Sequence, residues 1–354
     1  MLPMTESGSR TPTSAASPRK PLLQPDRLRK MAIFVLVAAA PPLIAVGLIF
    51  GFPAAEAAVF GVLIAFLNMI MGGTRLALAA AVGVILFTPV SLACGTTPLA
   101  GAAIMAMVCL AVGTSAGWGL QRGLTMVPLA IAYLLISPPS IDGHAPDPSS
   151  TAYLLSVTAV MGISTLLPLA ALSFLMRDRV APRPTGNSSA DSIEYAVIIS
   201  ALTAIATGAV LALRPGPNSF WLVLTLLAIV QVGPQATLRK TVSRSGGTLL
   251  GAAVAVVLVI LILIPSSTAI LVFGLIALLL TLTFAGGSSY WLYTACLTPT
   301  IIMLSGASAA ESVAEARVIY TLIGAGLALV AFSIAVIVRR FGAHQPASSP
   351  MPST

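Results

Sequence analysis

The sequence predicts an all-α polytopic membrane protein, with about twelve transmembrane helices arranged as two parallel six-helix repeats. Three observations lead there. Of 354 residues, 57% are hydrophobic and only 8% are charged, and the mean hydropathy is +1.01. Apolar runs of bilayer length recur along the chain. The basic residues gather in the segments that would face one side of a membrane. Soluble domains carry about 25% charged residues, so this chain lacks the charge to coat a water-exposed surface. Composition therefore excludes a soluble enzyme, a nucleic-acid-binding module and a disordered chain, despite a net charge of +8.

A hydrocarbon core about 30 Å thick needs roughly 20 apolar residues per helix. The first six candidate spans are 31–51, 54–71, 75–93, 98–118, 123–138 and 151–176; the second six are 194–213, 219–234, 246–264, 268–286, 289–305 and 317–338. Residues 1–30, rich in Ser, Thr, Pro and base, read as a disordered cytoplasmic tail, too polar for the apolar core of a cleaved signal. Residues 341–354 form a second cytoplasmic tail. With both termini inside a cytoplasmic membrane, 16 of the 18 Lys and Arg fall on inner segments. Only Arg214 and Arg317 fall outside, where Glu56, Asp142, Asp147, Glu311 and Glu315 lie. This is the asymmetry the positive-inside rule demands of short loops.

The stretch 179–192, RVAPRPTGNSSADS, reads as a cytoplasmic linker. It separates a first membrane repeat, 31–178, from a second, 193–340. An even number of spans per half makes the repeats parallel. Gly72-Gly73-Thr74 opens the third span as Gly246-Gly247-Thr248 opens the ninth. The fifth and eleventh spans are short, and each carries a mid-span proline close behind a Leu-Thr pair, Pro128 and Pro299. Between its second and third spans the first half is shorter, where the second half keeps a basic loop.

Chemistry concentrates in the second half. After the turn Pro215-Gly216-Pro217, Phe220 and Trp221 sit at an interface, and the eighth span runs inward to Gly233-Pro234. The loop beyond holds Arg239, Lys240 and Arg244 before the next span opens at Gly246 and Thr248. Such cations anchor a loop on the inner side or touch anionic lipid; beside a helix N-terminus they also form a vestibule that collects an organic anion. Gly247 and Gly251 make a small-xxx-small surface for close helix approach. Pro128 frees the carbonyl of Leu124, and Pro299 that of Ala295. A freed carbonyl in hydrocarbon must face protein or a wet cavity. Tyr293, Thr298 and Thr300 either satisfy that backbone or line a solute path, with Tyr293 or Trp291 offering a ring face to an aromatic acid. Thr225 and Gln231 lie in the eighth span, where Gln231 bonds a neighbouring helix or the solute, with Asn68 as its loose counterpart. The solute-path candidates are thus Pro128, Thr225, Gln231, Arg239, Arg244, Thr248, Tyr293, Thr298 and Pro299. Glu56, just after Pro53, reads as a first-turn residue satisfied by the helix dipole and water, or alternatively as a proton-coupling group.

Enzyme chemistry is missing from the pattern. The three cysteines set no disulfide framework, and the two histidines fall in an outer loop and a tail. No P-loop and no nucleophile constellation is visible, so neither a cofactor nor a metal is implied.

Residues 220–251 read FWLVLTLLAIVQVGPQATLRKTVSRSGGTLLG. Phe220-Trp221, Leu224-Thr225, Pro234, Ala236-Thr237-Leu238-Arg239, Arg244, Gly247-Thr248 and Gly251 follow a pattern that resembles the fusaric acid resistance (FUSC) family, related to aromatic acid exporters. Tyr290-Trp291, Arg317 and Gly324 also look familial. The resemblance covers the second half. It implies a membrane transporter, commonly one that exports aromatic or other hydrophobic organic acids, working by one half rocking against the other. An anion channel, or a non-transporting membrane subunit of an envelope complex, are the alternatives. The partners so implied are membrane lipid and a small organic anion, not nucleic acid, with a homo-oligomer or an envelope partner protein left open.

Overall fold

A computed structural model of the chain describes Arg29 and residues 32–177, 185–261, 276–277, 280–281, 290–304 and 310–342. Among the described residues there is no strand, and helices follow one another with short connections. We number them α1 (Ala32–Phe50), α2 (52–72) and α3 (74–94), α4 (Pro98–Trp118) and α5 (Gln121–Ile136), α6 (Thr151–Leu175), α7 (Ser189–Leu213), α8 (Phe220–Ile229), α9 (Pro234–Leu261), α10 (Tyr290–Leu304) and α11 (Ala310–Gly342).

Among the described residues, seven helical segments are long and apolar enough to cross a membrane, counting Phe52–Cys94 as one. Gln121–Ile136 and Pro217–Ile229 are apolar but shorter. The expected tenth span, 268–286, lies largely outside the described residues. Leu48, Leu86, Leu155, Ile205 and Val330 remain exposed on outer faces, so these helices are apolar on both their packed and their open sides. That all-round apolarity marks membrane helices.

Phe52–Cys94 holds 43 residues, about 64 Å if straight, twice a bilayer core. Gly73 divides it, at φ 75° and ψ −170°, a backbone a side chain would oppose. The contacts along α5 show that the two arms fold back. At one end of α5, Tyr133 Oη lies 3.5 Å from Glu56 Oε2, and Gly95 sits against the Leu135 backbone. At its other end, Gly123 meets Asn68 and Met71. Residues 56 and 95 thus share one level and residues 68–71 the other, so α2 and α3 form a hairpin turned at Gly73.

The α2–α3 hairpin packs on α6, α4 on α7, α9 on α10, and α8 on α11. The largest buried cluster runs through both halves, including Ile64, Ile131, Met161, Ile199, Leu226 and Ala328. Small residues allow the closest approaches, Gly113 against Ala196 and Gly247 against Thr294 and the Trp291 carbonyl.

Several sequence expectations change. The basic stretch after Gly233 is not a loop. α9 begins at Pro234, at the first helical position where a proline costs nothing. Arg239, Lys240 and Arg244 then occupy its first three turns, because Ala, Leu, Arg and Lys are good helix formers. The repeated Gly-Gly-Thr also diverges: it turns the chain at Gly73, whereas Gly246 and Gly247 lie inside α9. A positive-φ turn in the second half lies at Gly233, φ 88°, between α8 and α9. α7 starts at Ser189 instead of 194, because the Ser188 hydroxyl caps it by accepting from the Asp191 N–H at 3.1 Å. Pro128 is not mid-span: it lies in the first turn of the segment Met126–Ile136, where its missing N–H leaves no gap. Glu56 is the fifth residue of its helix, just past the first turn, with Tyr133 as its hydrogen-bond donor.

Replacing Gly251 by leucine should lower stability by about 1–3 kcal/mol, because its Cβ would lie 2.5 Å from the Ala295 carbonyl and 2.8 Å from Thr298 Cβ. Gly246→Leu is the control, since nothing lies within 4 Å of a Cβ there. Thermal unfolding of the purified protein should separate the two.

Candidate anion site

Four helices converge through faces set by the 3.6-residue period. Lys240, Arg244 and Thr248 stand one turn apart on α9. Tyr290, Thr294 and Thr298 do the same on α10. Trp221 and Thr225 share a face of α8, and Arg317 and Gly324, two turns apart, share a face of α11. Gly324 meets Thr225, so the α8 and α11 faces lie against each other.

Arg317 is the largest fully buried side chain, 2% exposed. Its guanidinium carbon lies 4.2 Å from the centroid of the Trp221 ring. Nη2 donates to Thr298 Oγ1 at 3.5 Å. Nε and Nη1 are buried with no partner. Arg244, 3% exposed, donates from Nη1 to Tyr290 Oη at 3.2 Å, and its Nε is likewise unpartnered. The Lys240 ammonium stands 4.8 Å from the centroid of the same Tyr290 ring. Tyr290 and Tyr293 stack at 5.8 Å. Arg244, Tyr293 and Arg317 are within electrostatic reach of one another, and Arg122 at the start of α5 is within reach of Lys240.

None of these cations has a carboxylate partner among the described residues. A buried, uncompensated charge is disfavoured by several kcal/mol. A desolvated cation–π contact returns about 2 kcal/mol, too little to cancel that. Around the arginines, Trp221 Nε1, Thr225 Oγ1 and Thr248 Oγ1 are also buried without partners. The arginine and indole N–H groups can only donate. The arrangement therefore offers donors and positive charge to a ligand that supplies acceptors and negative charge.

An aromatic chain leads to this site from the first half. Phe60 on α2 packs on Tyr133 of α5 at 4.8 Å. Tyr133 meets Phe220 edge-on at 5.3 Å, and Phe220 lies 4.4 Å from Trp221. Trp221 in turn faces Arg317.

Of the expected solute-path residues, Arg244, Thr248, Tyr293, Thr298 and Thr225 come together here. Pro299, in the middle of α10, is buried, and the Ala295 carbonyl it frees faces Gly251, so protein packing takes up that group. Three residues stand apart. Arg239 is exposed, because five residues set it about 140° round the helix from Arg244. Gln231, between α8 and α9, donates to the Val230 carbonyl at 2.7 Å. It lines a separate pocket with Asp191, Glu194, Tyr195 and Phe332; Phe332 lies about 22 Å along α11 from Arg317. Pro128 serves the start of its own helix. Lys240, Trp221, Tyr290 and Arg317 are additions to the sequence-derived set. Arg317 was placed at an outer margin because its span was taken to start there, but α11 begins at Ala310 and buries it two turns in. Two signals point to it: it falls with Gly324 in the family-like pattern, and it is one of only two basic residues that break the orientation rule, an ionisable residue inside a membrane helix marking function by default.

Apolar helices and a donor-rich buried site together define a multi-pass membrane protein of transporter type. Residues 195–331 match the family model described as fusaric acid resistance protein-like. The resemblance read from the 220–251 motif is thus borne out over these residues. The matched segment runs from α7 into α11 and contains every cation and aromatic residue of the site except Arg122, Phe60 and Tyr133. No curated protein and no solved structure matches the chain.

Because Arg317 is buried without a counter-charge, Arg317→Met should leave the thermal midpoint unchanged or raise it, by up to about 4 kcal/mol of stability. Trp221→Ala, which strips the ring from a charge that stays, should lower it. Thermal unfolding of the two purified variants without added solute tests this pair.

Proposed function

We propose that this protein is a transporter that exports small organic anions, aromatic or hydrophobic acids, across the cytoplasmic membrane. The observation that carries this reading is the pair Arg244 and Arg317, buried, without carboxylate partners and with N–H groups left open. Solute contacts are assigned to Trp221, Thr225, Lys240, Arg244, Thr248, Tyr290, Tyr293, Thr298 and Arg317. Lys240, with Arg122 nearby, draws the anion inward toward the two arginines.

The chain is proposed to cross the membrane twelve times, with both termini cytoplasmic, as repeats 31–178 and 193–340 joined by the linker 179–192. The recurrent packing supports this: the α2–α3 hairpin lies on α6 as α8 and α9 lie on α11, and the hairpin meets α5 as α9 meets α10. Gly73 and Gly233, both at positive φ, make the equivalent turns. Short α5 and α8 sit between longer helices. The aromatic chain from Phe60 to Trp221 gives the first half a contact through which rocking reaches Arg317.

Losing a charge-assisted contact to the solute is worth about 1.5–3 kcal/mol, so Arg244→Ala and Arg317→Ala should each cut transport at least about tenfold. Arg239→Ala should stay within twofold of the parent. Counterflow of radiolabelled benzoate in proteoliposomes, at matched protein incorporation, checks this. Undiminished flux in both arginine variants overturns the assignment, and discrete unitary currents in planar bilayers would move the same residues into a pore.

A further inference from the structure

Resting on that transport reading, we infer that the site takes a single anion bearing two acidic groups, one held at Arg244 and the other at Arg317. The unpartnered donors fall into two sets, one on α9 and one on α8 and α11, and α9 packs on both of those helices. On α9 are Arg244 Nε and, one turn on, Thr248 Oγ1. On α8 and α11 are Trp221 Nε1, Thr225 Oγ1, and Arg317 Nε and Nη1. α10 ties one set to each end of its face: Tyr290 accepts from Arg244 and Thr298 accepts from Arg317. Tyr290 and Thr298 are eight residues apart, so the two anchoring points differ by about 12 Å along the helix axis. The stacked Tyr290 and Tyr293 rings lie beside the first of them.

Charge decides the number of acidic groups. Both arginines are buried, within electrostatic reach of each other, and neither has a carboxylate. A monoanion would compensate one and leave the other exposed to its repulsion. Two monoanions would compensate both, but each would lose its translational freedom separately. One anion with two ends compensates both in a single association, the second contact forming at high effective concentration. A compact dianion such as sulfate satisfies the charge but brings no separate acidic group to each donor set.

The test uses the full chain in nanodiscs and proteoliposomes at pH 7.4. Matched acids differ by one carboxylate: benzoate against terephthalate, and hexanoate against adipate. Binding is read by ligand-dependent thermal shift and by competition in counterflow. The dicarboxylate of at least one pair should bind ten times tighter than its partner or better, with a Hill coefficient near one, and sulfate should compete poorly. Arg244→Gln and Arg317→Gln should each bring the ratio close to one while monocarboxylate binding persists, which shows the variant is folded. Arg244→Lys and Arg317→Lys should keep most of the preference. Monocarboxylates that bind as tightly as dicarboxylates, or with a Hill coefficient near two, overturn the two-ended ligand but leave organic-anion transport standing. Sulfate competing as well as the dicarboxylates also overturns it. Binding of neither class removes both readings.

Discussion

A guanidinium held among apolar helices without a counter-ion is the constraint around which the second half is organised. Arg317 is 2% exposed, and the folded chain offers it only the Trp221 ring and one threonine hydroxyl. Among the described residues no carboxylate neutralises it. Such a group is tolerated only where neighbouring helices are pressed together by other contacts, here small-residue packing of α9 on α10 and of α8 on α11. The apolar scaffold therefore stabilises an arrangement that is electrostatically unfinished, which the proposed anion would complete. Stability and function pull in opposite directions at this residue.

Among the described residues, the second half carries buried charge that the first half lacks. Where α3 begins directly at Thr74, α9 is longer at its start, from Pro234 to the Gly-Gly-Thr. That added stretch is what carries Lys240 and Arg244 into the protein. The residues of the first half that line up with Arg244 and Lys240 through the Gly-Gly-Thr repeat are Ile70 and Phe66, both apolar. The first half instead contributes rings: Phe60 and Tyr133 brace Phe220, which braces Trp221. One half thus holds the charge, and the other controls the position of the ring that covers it.

Much of the helical layout was legible from apolar run lengths, because hydrocarbon imposes helix on any spanning segment. The family motif was legible too, as were Arg244, Thr225, Thr248, Tyr293 and Thr298. Errors arose where a local signal had two physical outcomes. A Gly-Gly pair turns the chain at Gly73 but continues a helix at Gly247, where α10 packs too closely to admit a Cβ. A basic run reads as a loop by charge and as a helix by propensity, and propensity prevailed in α9. A proline behind a Leu-Thr pair opens a segment at Pro128 yet sits mid-helix at Pro299.

Sequence alone determined that this chain is an all-helical membrane protein with a FUSC-like second half, because composition and run length respond to the solvent and not to the fold. Tertiary structure alone decided which cations matter. Arg239, Lys240 and Arg244 are equivalent as letters, but helix phase turns Arg239 outward and the other two toward Tyr290. Arg317 joins them from far along the chain because α11 packs against α8 and α10. Burial and pairing are properties of neighbours in space, so no one-dimensional pattern carried them.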